Sequence, residues 1–525
     1  MVAQGRSGVI VKQRECAVSA PDLQSFMDQL EQRGWLKRIR VEVDPVLEIT
    51  EIADRVTKAG GPALLFENVR GSRFPLLINT FGTRERICLA LDCEDFDEVV
   101  ARVQALIKPQ MPTTIMQKIR KLPELAQLGN LPPRLVKRGM CQEIVHTDDA
   151  DLTTLPALKC WPLDGDISRN LAAGITPPTT ANDDAEATGR YITFGGVFTK
   201  DPDTSERNIG MYRVQIFGPR LCAMHWHMHH DGARHFRKYQ ARGERMPVAI
   251  ALGGPAVMPY AATCPLPPDV SEALFAGFLQ GGPIELVPCV TQPAIEVPAT
   301  AEFVIEGYID PAEPPILEGP FGDHTGFYSL ADYYPRMRIT AITHRRAPVF
   351  PATVVGKPPQ EDYWLGKATE RIFLPLLQMI VPDIIDYDLP TFGCFHNCAF
   401  VKIRKEYPFQ ARRVISAIWG AGQMAFTKII VVVDEHVDVH DQNDVLFHLC
   451  ANVDPRRDIV IADGPLDILD HAAPHHGAGS KMGIDATRKI PGEGQVRPWP
   501  DELQMSPEIQ QRVTQRWNDY GFTTT

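Results

Sequence analysis

The feature that most constrains the fold of this sequence is a long run of short β-like segments, from Arg190 to about Thr343, between two regions of helical periodicity. Gly/Pro turns separate these segments, a pattern typical of a β-barrel or a β-sandwich. We expect one helix, Val270 to Leu279, to interrupt the β-rich stretch. The regions on either side alternate helical stripes with short apolar strands, as α/β domains do. The sequence therefore predicts a mixed fold with a β middle between two α/β units.

Pro-rich connections and changes of periodicity mark the boundaries between these units. The predicted organisation is a loose N-terminus over 1–18, an N-terminal α/β domain over 19–120, a central β domain over 121–345 and a C-terminal α/β domain over 346–525. Within the central domain, 167–188 is rich in Ala, Thr, Asn and Asp. We expect this stretch to form a surface insertion.

Local periodicity adds detail near both ends of the chain. Ile39, Val41 and Val43 alternate as the residues of a strand do, and Glu94 to Ile107 has the clearest helical stripe. Near the C-terminus, a helix is predicted with three apolar side chains on one face: Ile509, Val513 and Trp517. Such a face more often docks on its own protein or on another subunit than on a membrane.

Charge and hydropathy argue against two classes of function. The formal net charge is −11, whereas a generic nucleic-acid binder needs a basic face. The longest unbroken aliphatic run, Ile429 to Val433, is far shorter than the ~20 residues that span a bilayer. No apolar signal core is found near the N-terminus. We expect a cytoplasmic protein without an integral membrane segment, with peripheral association left open, and 11 reduced, mostly buried cysteines.

A dense histidine cluster is the first candidate for chemistry. Five of the 15 histidines lie between positions 225 and 235, and His225, His227, His229, His230 and Asp231 follow one another closely. On a strand, positions 225, 227 and 229 would share one face. Two interpretations of the cluster are equally good. It contacts a metal or a phosphate, or it is an ordinary strand or loop with solvated imidazoles. No HExxH pattern completes the cluster, so a catalytic zinc site is not established by it.

Charged residues at three other places are further candidates. Glu318 and Asp323 lie five residues apart in a segment rich in Gly and Pro, which suits proton transfer between fixed carboxyl groups but also describes a surface turn. Arg213 would need a carboxylate or phosphate partner if it were buried. Glu272 near a helix N-terminus is either a capping residue or a cation ligand together with Asn208.

Taken together, these segments resemble the UbiD family of prenylated-FMN-dependent decarboxylases. The similar stretches are ERNIGMYR from Glu206 to Arg213, MHWHMHH from Met224 to His230 and EGPFGDHTG from Glu318 to Gly326. The similarity continues in order from about residue 20 to 500. It implies a small N-terminal α/β domain, a central split β-barrel domain that binds the flavin, and a C-terminal α/β domain for oligomerisation.

The resemblance also implies a reaction, a reversible and non-oxidative decarboxylation by a carboxy-lyase. Loss of CO2 from an sp2 carbon leaves an electron pair that protein side chains cannot accept, so a cofactor is required. In the family this is prenylated FMN, which a separate flavin prenyltransferase supplies. Arg213 would hold the substrate carboxylate and pair with Glu318, which would tune the network, and Asp323 would supply the proton that replaces CO2.

A metal and a set of flavin contacts are implied as well. The metal would be Mn2+, which would bridge to the flavin phosphate, and K+ is a candidate for an accompanying ion. Its ligands would be Asn208, His229 and Glu272, with His230 as the alternative histidine, and oxygen and imidazole ligands suit Mn2+. The residues at the flavin-contact positions are Met211, Tyr212, Arg213, His225, Trp226, His227, His230 and Asp231, with Lys428 near the phosphate.

The substrate stays open between several aryl acids. Asp323 stands where the acrylic-acid branch of the family has Glu, and His225 stands where the ubiquinone-pathway enzyme has Arg. We expect a small hydroxybenzoate-type acid, with 4-hydroxy-3-polyprenylbenzoate of ubiquinone biosynthesis as one candidate, and a homodimer or homohexamer. The alternatives are a metal-dependent hydrolase built on 225–231 and a non-catalytic partner in a quinone-biosynthesis complex.

Overall fold

The computed structural model describes residues 20–107, 131–168, 188–227, 230–266 and 270–522. Three sequence predictions lie wholly or mostly outside these ranges: the loose segment 1–18, the insertion 167–188 and the metal ligand His229. In the described part, the chain forms an N-terminal α/β unit, a large antiparallel half-barrel and a C-terminal α/β unit, as the sequence predicts.

The N-terminal unit is a four-stranded sheet covered by helices. Asp22 caps its first helix by accepting a hydrogen bond of 2.8 Å from the Ser25 amide. The sheet order is β1-β2-β3-β18, so its last strand comes from the chain beyond the half-barrel. The elements are α1 Leu23–Gln32, β1 Leu36–Ile39, α2 Glu48–Lys58, β2 Ala63–Phe66, β3 Leu76–Ile78, α3 Arg84–Ala90, α4 Phe96–Ile107 and β18 Phe350–Pro351.

The strand predicted around Val41 is displaced toward the N-terminus. β1 ends at Ile39, where its pairing with β2 ends, and Val41 is 69% exposed. β1 lies at the edge of the sheet, so backbone pairing with one neighbour decides its extent. Val43 is buried and forms an isolated bridge with Val69, so the apolar alternation was misleading at Val41.

The central unit is a curled sheet of nine antiparallel strands in the order β6-β9-β10-β17-β14-β11-β7-β8, with β5 added to β17. The path does not close on itself within the described residues. The longest strands, β11, β14 and β17, pair side by side at its centre. The nine strands are β5 Ile144–His146, β6 Tyr191–Ile192, β7 Gly196–Lys200, β8 Arg207–Met211, β9 Val214–Gly218, β10 Leu221–Met224, β11 Met246–Gly253, β14 Ala301–Ile309 and β17 Arg336–His344.

Smaller elements surround the half-barrel. A three-stranded sheet and a two-stranded hairpin lie beside it, and three helices interrupt the described part of the β region. These elements are β4 Arg134–Leu135, β12 Glu285–Pro288, β13 Glu296–Pro298, β15 Ile316–Glu318, β16 Asp332–Tyr334, α5 Asp231–Arg242, α6 Met258–Ala261 and α7 Glu272–Gln280. Short 3-10 turns are found at Met140–Gln142 and Leu152–Thr154.

The prediction of a single helix in this region was wrong. α7 corresponds to it, but α5 and α6 were missed. The buried face of α5 consists of Gly232, Ala233, His235 and Tyr239, so it lacks the aliphatic stripe that identifies a helix. Gly243, in the left-handed conformation, ends α5.

The C-terminal unit is a five-stranded mixed sheet in the order β19-β20-β21-β23-β22. β21 contains the aliphatic run Ile429 to Val433 and lies at the centre of the sheet. The elements are α8 Glu361–Ile380, β19 Ile384–Asp388, β20 Cys398–Ile403, α9 Gln410–Ile418, β21 Ile429–Asp434, α10 Gln442–Asn452, α11 Pro455–Asp458, β22 Ile459–Pro465, β23 Ala478–Asp485 and α12 Pro507–Gln515. Three 3-10 turns are Thr391–Gly393, Gly422–Phe426 and Trp517–Tyr520.

The predicted C-terminal helix is present as α12, but Trp517 lies in the turn that follows it, and none of the helix residues is buried in the single chain. Among the helices of the described ranges, none is long and apolar enough to cross a membrane. The ten cysteines in these ranges are free thiols, and most of them are buried.

Candidate active site

Arg213 is the centre of a buried cluster of charges. Its Nε and Nη2 donate to the Glu318 carboxylate oxygens at 2.9 and 3.1 Å, and its Nη1 donates to Asp323. Nη2 also donates to the Ser329 hydroxyl at 3.0 Å, and the guanidinium lies 4.8 Å from the ring centre of Phe321. Arg213, Glu318 and Asp323 are 8%, 0% and 8% exposed. The structure thus brings the predicted trio together in one site.

The loop 318–323 is fixed by contacts on both sides. The Gly319 amide donates to the Gln215 side-chain oxygen at 2.8 Å. A Cβ added at Gly322 would lie 2.1 Å from the indole of Trp161, so glycine is required for this close approach. The Gly-rich sequence of the loop therefore serves packing, and packing holds the two carboxylates in place.

Both carboxylates are ionised at neutral pH. Burial raises the pKa of Glu318, but the charge of Arg213, with hydrogen bonds from His225 and Arg213, outweighs it and lowers the pKa to about 2. Burial likewise opposes the ionisation of Asp323, yet the hydrogen bond from His324 and the charge of Arg213 hold its pKa below the usual range. The cluster is an ion network rather than a pair of neutral acids.

His225 extends this network beyond β10. The strand ends at Met224, so the histidines that follow do not continue it. His225 Nδ1 lies 2.9 Å from Glu318 Oε2 and donates to it. Burial, together with the charge of Arg213, lowers the pKa of His225, and its ring lies 4.4 Å from that of Tyr334. A neutral imidazole therefore forms one wall of the site.

His227 and His230 stack on each other with ring centres 4.9 Å apart. The backbone amide of His227 donates to His230 Nδ1 at 3.1 Å. Burial is the main reason why the pKa of His227 falls to about 2. The two imidazoles are thus held by each other, and they line the side of the cluster formed by His225.

Two of the other predicted flavin contacts, Tyr212 and Trp226, adjoin this stack, whereas Met211 packs against the apolar core. The Tyr212 ring contacts those of His230 and Trp226, at 4.9 and 6.3 Å between centres. Trp226 is buried, and its indole N–H has no partner within the described ranges. A Cβ at Gly232 would lie 2.7 Å from that indole. Asp231 pairs with Arg234 at 3.0 Å at the start of α5.

Two of the three predicted metal ligands are neighbours. Glu272 is the first residue of α7, and its carboxylate accepts a 3.0 Å hydrogen bond from the amide of Ile209, the residue after Asn208. The side-chain amide of Asn208 donates to the Thr199 hydroxyl at 3.3 Å. Burial, with the nearby charges of Asp231 and Glu206, raises the pKa of Glu272 to about 7. His229 lies outside the described residues.

Lys428 lies in the C-terminal unit and forms an ion pair with a carboxylate. Its Nζ donates to both oxygens of Asp470, at 2.9 and 2.7 Å. Its backbone amide donates to the carbonyl of His396 at 3.0 Å. Contact of Lys428 with a cofactor phosphate stays a prediction.

Sequence reasoning missed two histidines that adjoin the cluster. His324 Nδ1 lies 3.0 Å from Asp323 Oδ1, and His324 Nε2 lies 3.1 Å from His396 Nε2. His324 is part of the EGPFGDHTG string, so the signal was available. His396 comes from the C-terminal unit, and no local pattern marks it.

A spacious cavity of about 670 Å³ lies elsewhere, at the junction of the N-terminal unit and the half-barrel. Its lining includes Arg73, Phe74, His344 and Arg346, and none of the Arg213 cluster. Volume alone would therefore point away from the charged site.

Comparisons with known proteins agree with the arrangement of the chain. A family model described as the 3-octaprenyl-4-hydroxybenzoate carboxy-lyase Rift-related domain matches residues 134–358. The N-terminal and C-terminal domain models of the same carboxy-lyase match 27–104 and 363–486. Uncharacterized proteins from Aquifex aeolicus and Archaeoglobus fulgidus are 47% and 44% identical. Each alignment covers 95% of this chain, and 99% and 98% of the respective relatives.

Solved structures give the same assignment. The closed form of vanillic acid decarboxylase from Sedimentibacter hydroxybenzoicus has a TM-score of 0.78 at 26% identity, with 96% of this chain and 99% of that chain covered. The UbiD-class enzyme HmfF from Pelotomaculum thermopropionicum in complex with FMN has a TM-score of 0.72 at 28% identity, with coverage of 93% and 98%. An evolved dimeric form of HmfF in complex with prFMN has a TM-score of 0.71 at 26% identity, with the same coverage. By its three matched domain models and its fold, this chain belongs to the UbiD family of carboxy-lyases.

Proposed function

We propose that the protein decarboxylates a small hydroxybenzoate-type acid, with prenylated FMN bound in the half-barrel and Mn2+ beside the flavin phosphate. The observation that carries the proposal is the buried cluster of Arg213, Glu318 and Asp323, which joins a carboxylate-binding cation to two carboxyl groups. The complexes of HmfF with FMN and prFMN and the activity of vanillic acid decarboxylase support the choice of cofactor and substrate class.

The residues around Glu272 suit a divalent cation. A buried carboxyl group with a pKa raised to about 7 lacks a compensating positive charge, which a metal ion would supply. An amide oxygen from Asn208 and the imidazole of His229 would complete a donor set that suits Mn2+. The unpartnered indole N–H of Trp226 offers a hydrogen-bond donor to a polar atom of the flavin.

When bound, the prenylated flavin would supply the electron sink that loss of CO2 requires. Arg213 would orient the substrate carboxylate, since its Nη2 and Nη1 face the Ser329 and Asp323 side of the cluster. Glu318 stays ionised and fixes the plane of the guanidinium through two parallel hydrogen bonds. A substrate carboxylate beside Asp323 adds negative charge, which raises the pKa of Asp323 and favours its uptake of the proton that replaces CO2.

The walls of the site favour a phenolic acid. His225, His227 and Tyr334 present polar ring atoms, and burial keeps both imidazoles neutral by lowering their pKa. Neutral imidazoles both donate and accept hydrogen bonds, which suits an aryl hydroxyl group. We propose a homodimer or homohexamer as the assembly, and the exposed α12 is a candidate for contact between subunits.

The two alternatives receive less support. A metal-dependent hydrolase on 225–231 would need imidazoles that converge on one ion, whereas His225 binds Glu318, and His227 and His230 stack on each other. A non-catalytic partner would have no need of the buried trio. Neither alternative explains why Arg213 is held between two carboxylates.

The test is expression with a flavin prenyltransferase, followed by absorbance spectra, metal analysis and CO2 release from a panel that includes vanillate and 4-hydroxybenzoate. We expect bound prenylated flavin, manganese and turnover of at least one phenolic acid. A preparation with neither bound flavin nor CO2 release from any acid would overturn the proposal.

A further inference from the structure

A chain of hydrogen bonds leads from the cluster into the C-terminal unit. It begins at Asp323 Oδ1, passes through both nitrogens of His324 at 3.0 and 3.1 Å, and reaches His396 Nε2. His396 Nδ1 lies 3.1 Å from the side-chain oxygen of Asn397. The decarboxylation outlined above uses Asp323 but neither histidine.

The protons along this chain follow from its geometry. The Asn397 oxygen only accepts, so in a neutral His396 the proton is on Nδ1 and Nε2 is bare. The nitrogen that faces this bare atom, His324 Nε2, must then carry a proton. His324 Nδ1 faces a carboxylate and carries one too. His324 is therefore an imidazolium that donates to Asp323 on one side and to His396 on the other.

The electrostatics agree with this assignment. Burial lowers the pKa of His396 to about 4. Burial also opposes the charge on His324, but the hydrogen bond and charge of Asp323 raise its pKa to about 9. The other charged groups that face His324 are Asp362 from α8 and Asp467, and those that face His396 are Asp467 and Asp470. Asp362 itself has a pKa raised to about 7 by burial.

We propose that His324, oriented by His396, is the proton store that reloads Asp323 in each turnover. The proposal rests on the role of Asp323 as proton donor. Decarboxylation of R–COO⁻ to R–H and CO2 consumes one proton. In the proposed step the Nδ1–H bond of His324 breaks, and an O–H bond forms on Asp323. Asp323 then gives that proton to the carbon that has lost CO2, and a solvent proton restores the imidazolium.

The transfer has a defined direction. In the resting site the ion pair favours imidazolium and carboxylate, so the proton stays on His324. The negative charge that the substrate carboxylate brings beside Asp323, and that stays in the site when neutral CO2 leaves, raises the proton affinity of Asp323. His324 therefore transfers its proton to Asp323 during decarboxylation and not in the resting site. His396 acts through His324 and is a positioning residue, since it fixes the ring and its tautomer.

The test compares four variants of the flavin-loaded enzyme. For His324→Asn we expect kcat at pH 7 to fall at least about tenfold, with KM within about twofold, as loss of proton transfer predicts. We expect the wild-type kcat to decline near pH 9, and we expect this decline to be absent in His324→Asn. His396→Phe removes the acceptor of the His324 Nε2 hydrogen bond and should move the decline in kcat to lower pH. His396→Gln retains an accepting oxygen, so its decline should lie close to the wild-type pH. His436→Asn, at an exposed site, is the matched control.

A second measurement uses the protein without flavin. In histidine-labelled protein, ¹⁵N NMR should show both nitrogens of His324 protonated at pH 7.5 and His396 neutral. If the loaded wild type releases CO2, either of two results would overturn the role of His324 as the proton store. These are a neutral His324, or an unchanged kcat and pH profile in His324→Asn. Absence of CO2 release from the loaded wild type would instead overturn the proposed function, and the store with it.

Discussion

Arg213 and Glu318 form a bidentate ion pair in which Glu318 is fully buried and the two donor distances are 2.9 and 3.1 Å. A buried ion pair gains little net stability, because desolvation of both charges offsets their attraction. We infer that the pair mainly fixes orientation. Glu318 holds the guanidinium so that its remaining donors face Asp323 and the space where a substrate carboxylate would bind.

Removal of Arg213 should destabilise the fold more than the net strength of the pair suggests. Arg213→Ala leaves the buried carboxylate of Glu318 without its cation and removes one of the two cations beside Asp323, a change that costs about 3–5 kcal/mol. We expect Tm to fall by about 3–5 °C in differential scanning calorimetry. Arg70→Ala, which breaks exposed ion pairs with Glu42 and Asp44, is the control and should shift Tm much less. Equal shifts in the two variants would contradict this interpretation.

Neutralisation of Glu318 should lower turnover without loss of bound flavin. Glu318→Gln keeps the shape of the side chain but removes the negative charge that holds Arg213. We expect kcat to fall by roughly 10²–10⁴, with flavin occupancy unchanged. Glu313→Gln, in a partly exposed pair with Arg338, is the matched control. Retention of more than a tenth of the wild-type kcat in Glu318→Gln would argue against its role.

The sequence was most informative where one short string carries several site residues. Glu318 and Asp323 lie in EGPFGDHTG, and the structure places Arg213 between them. His396 could not be found in this way, because it meets His324 from 72 positions away. Pairing between distant segments also decided the end of β1 at Ile39, and the small and polar buried face of α5 concealed a helix. Local patterns record periodicity and motifs, whereas these features depend on tertiary contacts.

Because His324 is charged, the flavin-free protein should lose stability as the pH becomes alkaline. The pKa of His324 is raised from 6.5 to about 9, so its stabilising contribution is complete below pH 6.5 and is lost as the pH rises through about 9. Hydrogen bonds to Asp386 and Asp388 also raise the pKa of His440 to about 9, so this residue adds to the same window. We expect Tm to fall between pH 6.5 and about 9, and to fall less in His324→Asn. Identical slopes in wild type and variant would refute an imidazolium at His324.

Glu272 should have opposite effects with and without metal. Its pKa is raised from 4.5 to about 7, so the ionised form penalises the folded state above pH 4.5, and fully above about 7. At pH 8 we expect metal-free Glu272→Gln to melt at a higher temperature than the wild type. The same variant should gain no stability from added Mn2+ and should retain no flavin. The exposed Glu508→Gln is the control. A normal Mn2+-dependent gain or normal flavin occupancy in Glu272→Gln would contradict the proposed metal site.

The Arg213 cluster should replace the carboxyl group of its substrate with a proton. The most direct measurement follows carboxyl-¹³C vanillate in D2O with the flavin-loaded enzyme. We expect ¹³CO2 and a product that carries one deuterium at the carbon that held the carboxyl group, and we expect Asp323→Asn to lose at least about 99% of this turnover. Equal turnover in Asp323→Asn, or no ¹³CO2 from flavin-loaded wild type with vanillate or any other phenolic acid, would contradict the account.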